Sequence, residues 1–264
     1  MYAFDYHKPA SLDEALAKLK GADEAKLLAG GMTLLPTMKQ RLASPSDLID
    51  LSGIKDLSGI SVSGKTVTIG AMTCHADVAA SADVKKAIPA LAYLAGHIGD
   101  PQVRHRGTIG GSIANADPAA DYPAAIVGLN AVVETNARKI PADDFFVDLF
   151  ETALDEGEII KAVHFSVPDR AGYAKFENPA SGYAVVGVFI TRFGKDVRVA
   201  VTGAGPSVFR ASGLEAALAK DFSPKALAGF KHPADGLNSD MHASAEYRAH
   251  LIGVMAARAL QAAA

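Results

Sequence analysis

Two glycine pairs bring together the residues whose types and spacing best suit ligand chemistry. Ala29-Gly30-Gly31-Met32-Thr33 lies between a strand-like and a helix-like segment. Thr108-Ile109-Gly110-Gly111-Ser112 is followed by Asn115, Asp117 and Asp121. Glycine permits positive φ and lets a ligand approach the main chain closely. Successive exposed N–H groups make an anion nest without any lysine. Thr33, Thr108 and Ser112 add hydroxyl donors. Two such nests suit a diphosphate held from two sides, with Asp121 placed to accept from a ribose hydroxyl, as acidic residues do in other dinucleotide sites. The same spacing also suits two ordinary tight turns.

Other patterns lead elsewhere. Gly59-Ile-Ser-Val-Ser-Gly64-Lys65-Thr66 fits the phosphate-loop formula, but its interior alternates as a strand and VTIG after it is another strand. The formula needs a helix at that point, so a β-hairpin is expected. Gly203-Ala204-Gly205 imitates a dinucleotide fingerprint, yet Val208 holds the third glycine position and Pro206 interrupts the turn; a sheet-to-helix loop is expected. No H-E-x-x-H and no G-x-S-x-G occurs, so neither a zinc protease nor a hydrolase elbow is indicated. His97 and His105 flank the second glycine segment, with a capping or surface role favoured over ligand contact. Cys74 reads as a small buried hydrophobe.

The elements that must position these residues follow from composition and periodicity. The chain has 264 residues, a net charge of −3, 24 glycines and one cysteine. That length allows more than one domain. The charge argues against a polyanion partner and a polybasic membrane anchor. One cysteine excludes an internal disulfide, a cysteine-rich zinc site and a protein-held iron–sulfur cluster. No basic segment leads into an apolar run at the start, and no apolar stretch approaches the ~20 residues of a membrane span. A soluble cytoplasmic α/β protein is expected.

Ser11 and Glu14 form a capping box for a helix ending at Gly21. A strand over 26–31, a helix over 33–43 and a strand over 48–51 complete a first unit. Period-two alternation around Ser63-Gly64-Lys65 marks a hairpin. Helices are expected over 76–80 and 84–97, then a loop-rich stretch over 99–123, an alanine-rich helix, and strands over 131–135 and 159–165. Pro168 to Gly172 reads as a boundary. Beyond it, 184–193 and 197–205 pair as antiparallel strands, with helices over 213–220 and 244–263.

AGGMTLLPTMKQRLASPSDLIDLSGI and IGDPQVRHRGTIGGSIANADPAADYPAAIVGLNA resemble the FAD-binding medium subunit of molybdenum hydroxylases, the carbon monoxide and xanthine dehydrogenase family. The resemblance continues through YAKFENPASGYAVVGVF, VRVAVTGAGPSVFR and DMHASAEYRAHLIGVMAARAL, and so covers essentially the whole chain. It implies an α+β architecture. Two α/β subdomains of the p-cresol methylhydroxylase type would occupy 1–55 and 56–168. A C-terminal domain with a three-stranded antiparallel sheet and helices would occupy 169–264. It implies noncovalent FAD lined by Leu28, Ala29, Gly30, Gly31, Met32, Thr33 and Leu34, with Thr108, Gly110, Gly111 and Ser112 as a second nest. Asp121 would bind the adenosine ribose, Ile160 and Lys175 would lie near the cofactor, and Tyr183 beside the isoalloxazine. No side-chain catalyst or metal site is implied in this chain.

The resemblance further implies a large molybdenum-cofactor subunit and a small subunit with [2Fe–2S] clusters, arranged as a dimer of heterotrimers, with electrons leaving through FAD to an external acceptor. Met32 stands where the family often has Gln, Asn or His, and Gly182 where many members have Asp. Valine at both Gly30 and Gly110 is expected to fill both nests and abolish FAD binding. Two rivals are a non-catalytic assembly module on the same fold and a stand-alone flavin oxidoreductase. The short segment after Pro168 leaves little room for the substrate cap of the latter.

Overall fold

A computed structural model describes residues 1–263. The chain mixes helix and sheet, with its main sheets following one another along the sequence.

In the first unit Ser11 caps helix Leu12–Lys20, its hydroxyl accepting from the Glu14 N–H at 3.2 Å. The Glu14 carboxylate accepts from the Ala10 N–H at 2.8 Å, one residue before the usual capping-box donor. Strands β1 (Asp5–His7), β2 (Ala25–Leu28) and β3 (Asp47–Asp50) form a parallel sheet in the order β1-β3-β2. Helix Leu34–Lys39 is shorter than expected; the chain leaves it through Arg41, at φ +63°. Ala15, Ile49, Leu51, Ile54 and Leu57 form a small core that Met72 and Ile159 of the second unit complete.

The second unit is built on β4 (Ile60–Ser63), β5 (Thr66–Gly70), β6 (Val132–Thr135), β7 (Lys139–Pro141), a small hairpin of β8 (Phe146–Asp148) and β9 (Glu151–Thr152), and β10 (Ile160–Ser166). The main sheet runs β4-β5-β10-β6-β7 and is antiparallel throughout. Ile60 pairs with Ile69 and Ser63 with Thr66, and Gly64 turns between them at φ +58°. This hairpin accounts for the phosphate-loop look-alike. The helix expected over 84–97 is two, Ala82–Ala87 and Pro89–Gly96, because Pro89 lacks the N–H that would continue the first and suits the start of the second.

The stretch 99–123 is not mainly loop. It holds helix Pro101–Arg104, capped by Asp100, helix Ile109–Asn115, capped by Thr108, and the start of helix Tyr122–Gly128. Each N-cap side chain accepts a backbone N–H of the first turn, Asp100 from Val103 at 2.8 Å and Thr108 from Gly111 at 3.1 Å. Such caps allow short helices to form despite their glycines and prolines.

The third unit is an antiparallel sheet of β11 (Arg170–Glu177), β12 (Ala184–Phe193), β13 (Asp196–Thr202) and β14 (Phe209–Arg210), in that order. The two-residue β14 adds a fourth strand to the three implied by resemblance. The segment 168–172 is not all connection, since β11 begins at Arg170. Both faces of this sheet are covered. Val186, Val188, Ile190, Val197, Val199 and Val201 face the core under helices Ser212–Lys220 and Ala245–Ala262. Tyr173, Phe189 and Ala200 face the second unit. Successive strand side chains alternate between faces, so one sheet joins two cores. Helix Tyr122–Gly128 is wholly buried between the sheets. Thr191 donates to the Gly128 carbonyl at 2.6 Å and Arg198 to that of Val127 at 2.8 Å. Among the described residues, no helix is long and apolar enough to cross a membrane.

Candidate functional site

The two glycine motifs, far apart in sequence, meet in space. A Cβ on Gly30 would fall on the Arg106 carbonyl oxygen and within 2.8 Å of Gly107 Cα, and one on Gly111 would stand 3.3 Å from Ala29 Cβ. Gly31 has φ +75° and turns the chain out of β2 into helix Leu34–Lys39. Among the described residues, the backbone N–H groups from Gly30 to Leu34 donate to no protein acceptor. Gly30 is buried, Leu28, Ala29, Gly31 and Leu34 are half-buried, and Met32 and Thr33 are exposed. The loop therefore offers a run of unspent donors beside water.

The second motif differs from the expected nest. The N–H of Ile109 donates to Thr73 O at 3.1 Å, that of Gly110 to Ala71 O at 2.8 Å, that of Gly111 to Thr108 Oγ1 at 3.1 Å, and that of Ser112 to Thr108 O at 3.0 Å. The donors are consumed by the helix cap and by the neighbouring Ala71–Thr73 segment. Gly110 is needed for close packing: a Cβ there would stand 2.6 Å from Ala71 Cβ. Valine at Gly30 and Gly110 would thus collide with protein backbone and side chain, not fill two open nests.

Helix Ile109–Asn115 leads from the glycine contact to a second cluster. Ala116, in the left-handed region at φ +47°, turns the chain from this helix into the Asp117–Asp121 loop. Strained backbone of this kind is concentrated at functional sites. The C-terminal sheet grips the loop. Gly203 N–H donates to Pro118 O at 2.7 Å and Ala184 N–H to Ala119 O at 3.2 Å. The Thr202 hydroxyl lies 2.9 Å from Pro118 O and 2.6 Å from Ala120 O. This is the role of the Gly203 turn that imitates a dinucleotide fingerprint.

Asp121 is buried, and its carboxylate accepts from the Tyr173 hydroxyl at 2.6 Å and pairs with Lys175 Nζ at 3.1 Å. Burial pushes the Asp121 carboxyl up, while Lys175 and Tyr173 pull it down. Burial also raises Asp117. Tyr183 is 42 % exposed; partial burial raises its hydroxyl first, and the charges of Asp117 and Asp121 add to the rise. Ile160 is buried at the start of β10, in the core that also holds Ile109 and Ile113.

His97 and His105 act as helix-end caps, each ring nitrogen 2.7 Å from the carbonyl of the residue four before it, Tyr93 and Pro101. Cys74 is half-buried and heads helix His75–Ala80, so the buried-hydrophobe expectation is corrected. Its bridge to Thr108 puts it on the strand-like approach to that helix, not within the core. Beneath, His75 is buried with Nδ1 unpartnered, and burial lowers its pKa to about 4. Sequence reasoning missed Tyr173 and Thr202. Tyr173 carried a usable signal, since positions i and i+2 of a strand share a face with Lys175.

The donor loop and the buried acid lie toward opposite ends of a seven-residue helix, about 10 Å of rise, which gives an extended site. Comparison with known proteins identifies the family of the chain. Residues 2–168 match the family described as FAD binding domain in molybdopterin dehydrogenase, and 173–263 match the CO dehydrogenase flavoprotein C-terminal domain. The chain belongs to this family of FAD subunits. It is 39% identical to the carbon monoxide dehydrogenase medium chain of Hydrogenophaga pseudoflava, covering 98% of this chain and 96% of that one. It is 38% identical to the nicotine 6-hydroxylase medium subunit of Paenarthrobacter nicotinovorans, covering 95% and 93%. Carbon monoxide dehydrogenase from Hydrogenophaga pseudoflava superposes with a TM-score of 0.86 at 36% identity, covering 99% and 97% of the chains. Quinoline 2-oxidoreductase from Pseudomonas putida 86 superposes with a TM-score of 0.88 at 29% identity, covering 98% and 96%.

The FAD-binding domain of the family thus contains both glycine motifs and Asp121, and the flavoprotein C-terminal domain supplies Tyr173, Lys175 and Tyr183. The unspent donors of Gly30 to Leu34 fit a diphosphate-bearing cofactor such as FAD. Neither departure from the family pattern removes a donor from this set. Met32 contributes its N–H, and Gly182, at φ +72°, contributes a carbonyl to Lys175.

Proposed function

We propose that this chain is the FAD-binding medium subunit of a heteromeric molybdenum hydroxylase. The observation that carries the reading is the run of free N–H groups from Gly30 to Leu34, seated against the Thr108 helix in a chain of this family. Gly30 to Thr33 would hold the diphosphate of noncovalent FAD, with Leu28, Ala29 and Leu34 as the apolar flank. Thr108, Gly110, Gly111 and Ser112 would shape the opposite wall by packing, not by donating N–H groups. Asp121 would serve the ribose with the lone pairs left by Tyr173 and Lys175, Ile160 would back the site, and Tyr183 would face the isoalloxazine. In this reading 1–55 and 56–168 are the two FAD subdomains of the p-cresol methylhydroxylase type, and 169–264 is the domain that closes over them.

When bound, FAD would accept electrons singly from [2Fe–2S] clusters of a small partner subunit and release them to an external acceptor, while a large partner subunit oxidises the substrate at molybdenum. The residues of this chain bind and orient the flavin and exclude water from it. The clusters belong to another chain because the sequence has one cysteine. In this reading the complex works in the cytoplasm as a dimer of heterotrimers.

The test is direct. Purified chain mixed with FAD and desalted should keep stoichiometric flavin. A protein that emerges colourless, with its fold intact by circular dichroism, removes the reading and favours the assembly-module alternative.

Partner contact gives a second expectation. Val147, Leu149 and Phe150 are 56 %, 53 % and 58 % exposed on the β8–β9 hairpin, and Phe150 has φ +55°. Exposed apolar clusters of this kind mark protein contacts. The double substitution Leu149→Asp with Phe150→Asp should lower recovery of the co-expressed large and small subunits while leaving flavin content unchanged. Unchanged co-purification would exclude the hairpin from the subunit contacts.

A further inference from the structure

Helix Ala245–Ala262 buries a charge among its apolar residues. Arg248 is 3% exposed, on a helix that also buries Ala249, Leu251, Ile252 and Met255. Burying a charge is costly unless it is paired and hydrogen-bonded. Here the guanidinium forks. Nη1 donates to Val185 O at 2.6 Å and to Gly203 O at 2.8 Å, and Nη2 donates to Asp240 Oδ2 at 2.7 Å. Nε is buried without a partner among the described residues, so the two Nη groups carry all of its bonds.

The two carbonyls lie at the open ends of β12 and β13. The ladder between these strands stops at the Gly187–Thr202 pair. Gly203 then turns away at φ +82°, so close to β12 that an added Cβ would stand 2.4 Å from Ala184 O. Arg248 bridges Val185 O and Gly203 O where the ladder has ended. Donors on the same two strand ends grip the Asp117–Asp121 loop. Gly203 N–H donates to Pro118 O, Ala184 N–H donates to Ala119 O, and the Thr202 hydroxyl lies 2.6 Å from Ala120 O.

We propose that Arg248 is a positioning residue for the adenosine half of bound FAD. It ties the ends of β12 and β13 together, and those ends hold the Asp117–Asp121 loop in place. It acts without a hydrogen bond of its own to that loop. The inference rests on the FAD reading given above, in which Asp121 serves the ribose. The rival role is an arginine that only stabilises the C-terminal domain. That domain also carries Tyr183, so a general loosening would be felt at the flavin ring as well as at the ribose.

Full-length chain is compared as wild type, Arg248→Met, Arg248→Lys and Leu218→Ala. Leu218 is buried on helix Ser212–Lys220 in the core that also holds Val185 and Leu251, and it takes no part in the fork. Its truncation lowers the stability of the domain alone. All chains are read at a temperature where circular dichroism shows them folded. Arg248→Met should raise the FAD Kd about tenfold or more, while the flavin that binds keeps the wild-type midpoint potential. Arg248→Lys keeps the charge but loses the planar fork; it should raise the Kd about threefold and decides the question if Arg248→Met does not fold. Leu218→Ala should change neither. Hydrogen exchange in the FAD-free chain gives a readout independent of flavin. The Ala119 and Ala120 amides, bonded to Asp117 within the loop, should exchange about tenfold faster in Arg248→Met and at the wild-type rate in Leu218→Ala. Wild-type affinity and exchange in both Arg248 variants, or an equal loss in Leu218→Ala, would reduce Arg248 to a structural support of its domain. A shifted midpoint potential beside the weaker binding would put its effect at the ring and not at the ribose. Each of these results overturns the inference and leaves the FAD reading standing. A wild-type chain that binds no FAD overturns both.

Discussion

Gly30→Ala should lower the melting temperature of the FAD-free chain by about 10 °C and abolish flavin retention. The new Cβ would meet the Arg106 carbonyl and stand 2.8 Å from Gly107 Cα. These atoms are backbone, so no rotamer change relieves the clash, and overpacking of this kind costs about 3 kcal/mol or more. Gly31→Ala makes the informative contrast. Gly31 needs its positive φ of +75°, but the atom nearest its added Cβ, at 2.8 Å, is Leu35 Cδ1 on a flexible side chain. It should cost about 1–2 kcal/mol, the usual penalty for a non-glycine residue in the left-handed region. Gly157→Ala, at φ +81° in open space, controls for backbone strain alone. Thermal melts of the three chains check the order. A Gly30→Ala chain that melts with wild type would mean that the two glycine motifs do not meet as described.

The contrast shows what the sequence could disclose. Both glycine pairs, and Asp121 beyond them, are legible in the sequence as a candidate site. The different work of each glycine is not, because an added Cβ meets atoms from remote parts of the chain. Gly30 faces Arg106, and Gly110 faces Ala71. The expected second nest failed for the same reason. Its N–H groups are spent partly on Ala71 and Thr73, which lie more than thirty residues earlier in the chain. The loop-rich reading of 99–123 weighed its glycines and prolines too heavily and the caps Asp100 and Thr108 too lightly. The β12–β13 pair was legible because period-two alternation is local. What lies against each face was not legible, and that is where Tyr173 and Thr202 gain their part in the site.

Gly172→Ala should cost about 3 kcal/mol or more, lower the melting temperature by about 10 °C and weaken flavin retention, although Gly172 belongs to no glycine motif. The added Cβ would fall on the Ala259 carbonyl and stand 2.9 Å from the Ala263 N–H, both backbone atoms of helix Ala245–Ala262 or its C-terminal cap. The helix would have to lift from β11. The neighbouring residue Tyr173 projects to the opposite face, where its hydroxyl bonds Asp121. Damage at the helix therefore reaches the buried acid through a single strand. The same sheet carries side chains of two cores, so the C-terminal domain cannot melt and leave the second unit intact; loss of its cover would expose Phe189, Tyr173 and helix Tyr122–Gly128 together. Calorimetry of Gly172→Ala should show these units melting in one shifted transition. Gly194→Ala, at φ +60° with open space around it, should shift the melt far less and leave flavin bound. Two separated transitions in Gly172→Ala, with flavin retained through the first, would show that the C-terminal sheet is not needed to hold the Asp117–Asp121 loop in place.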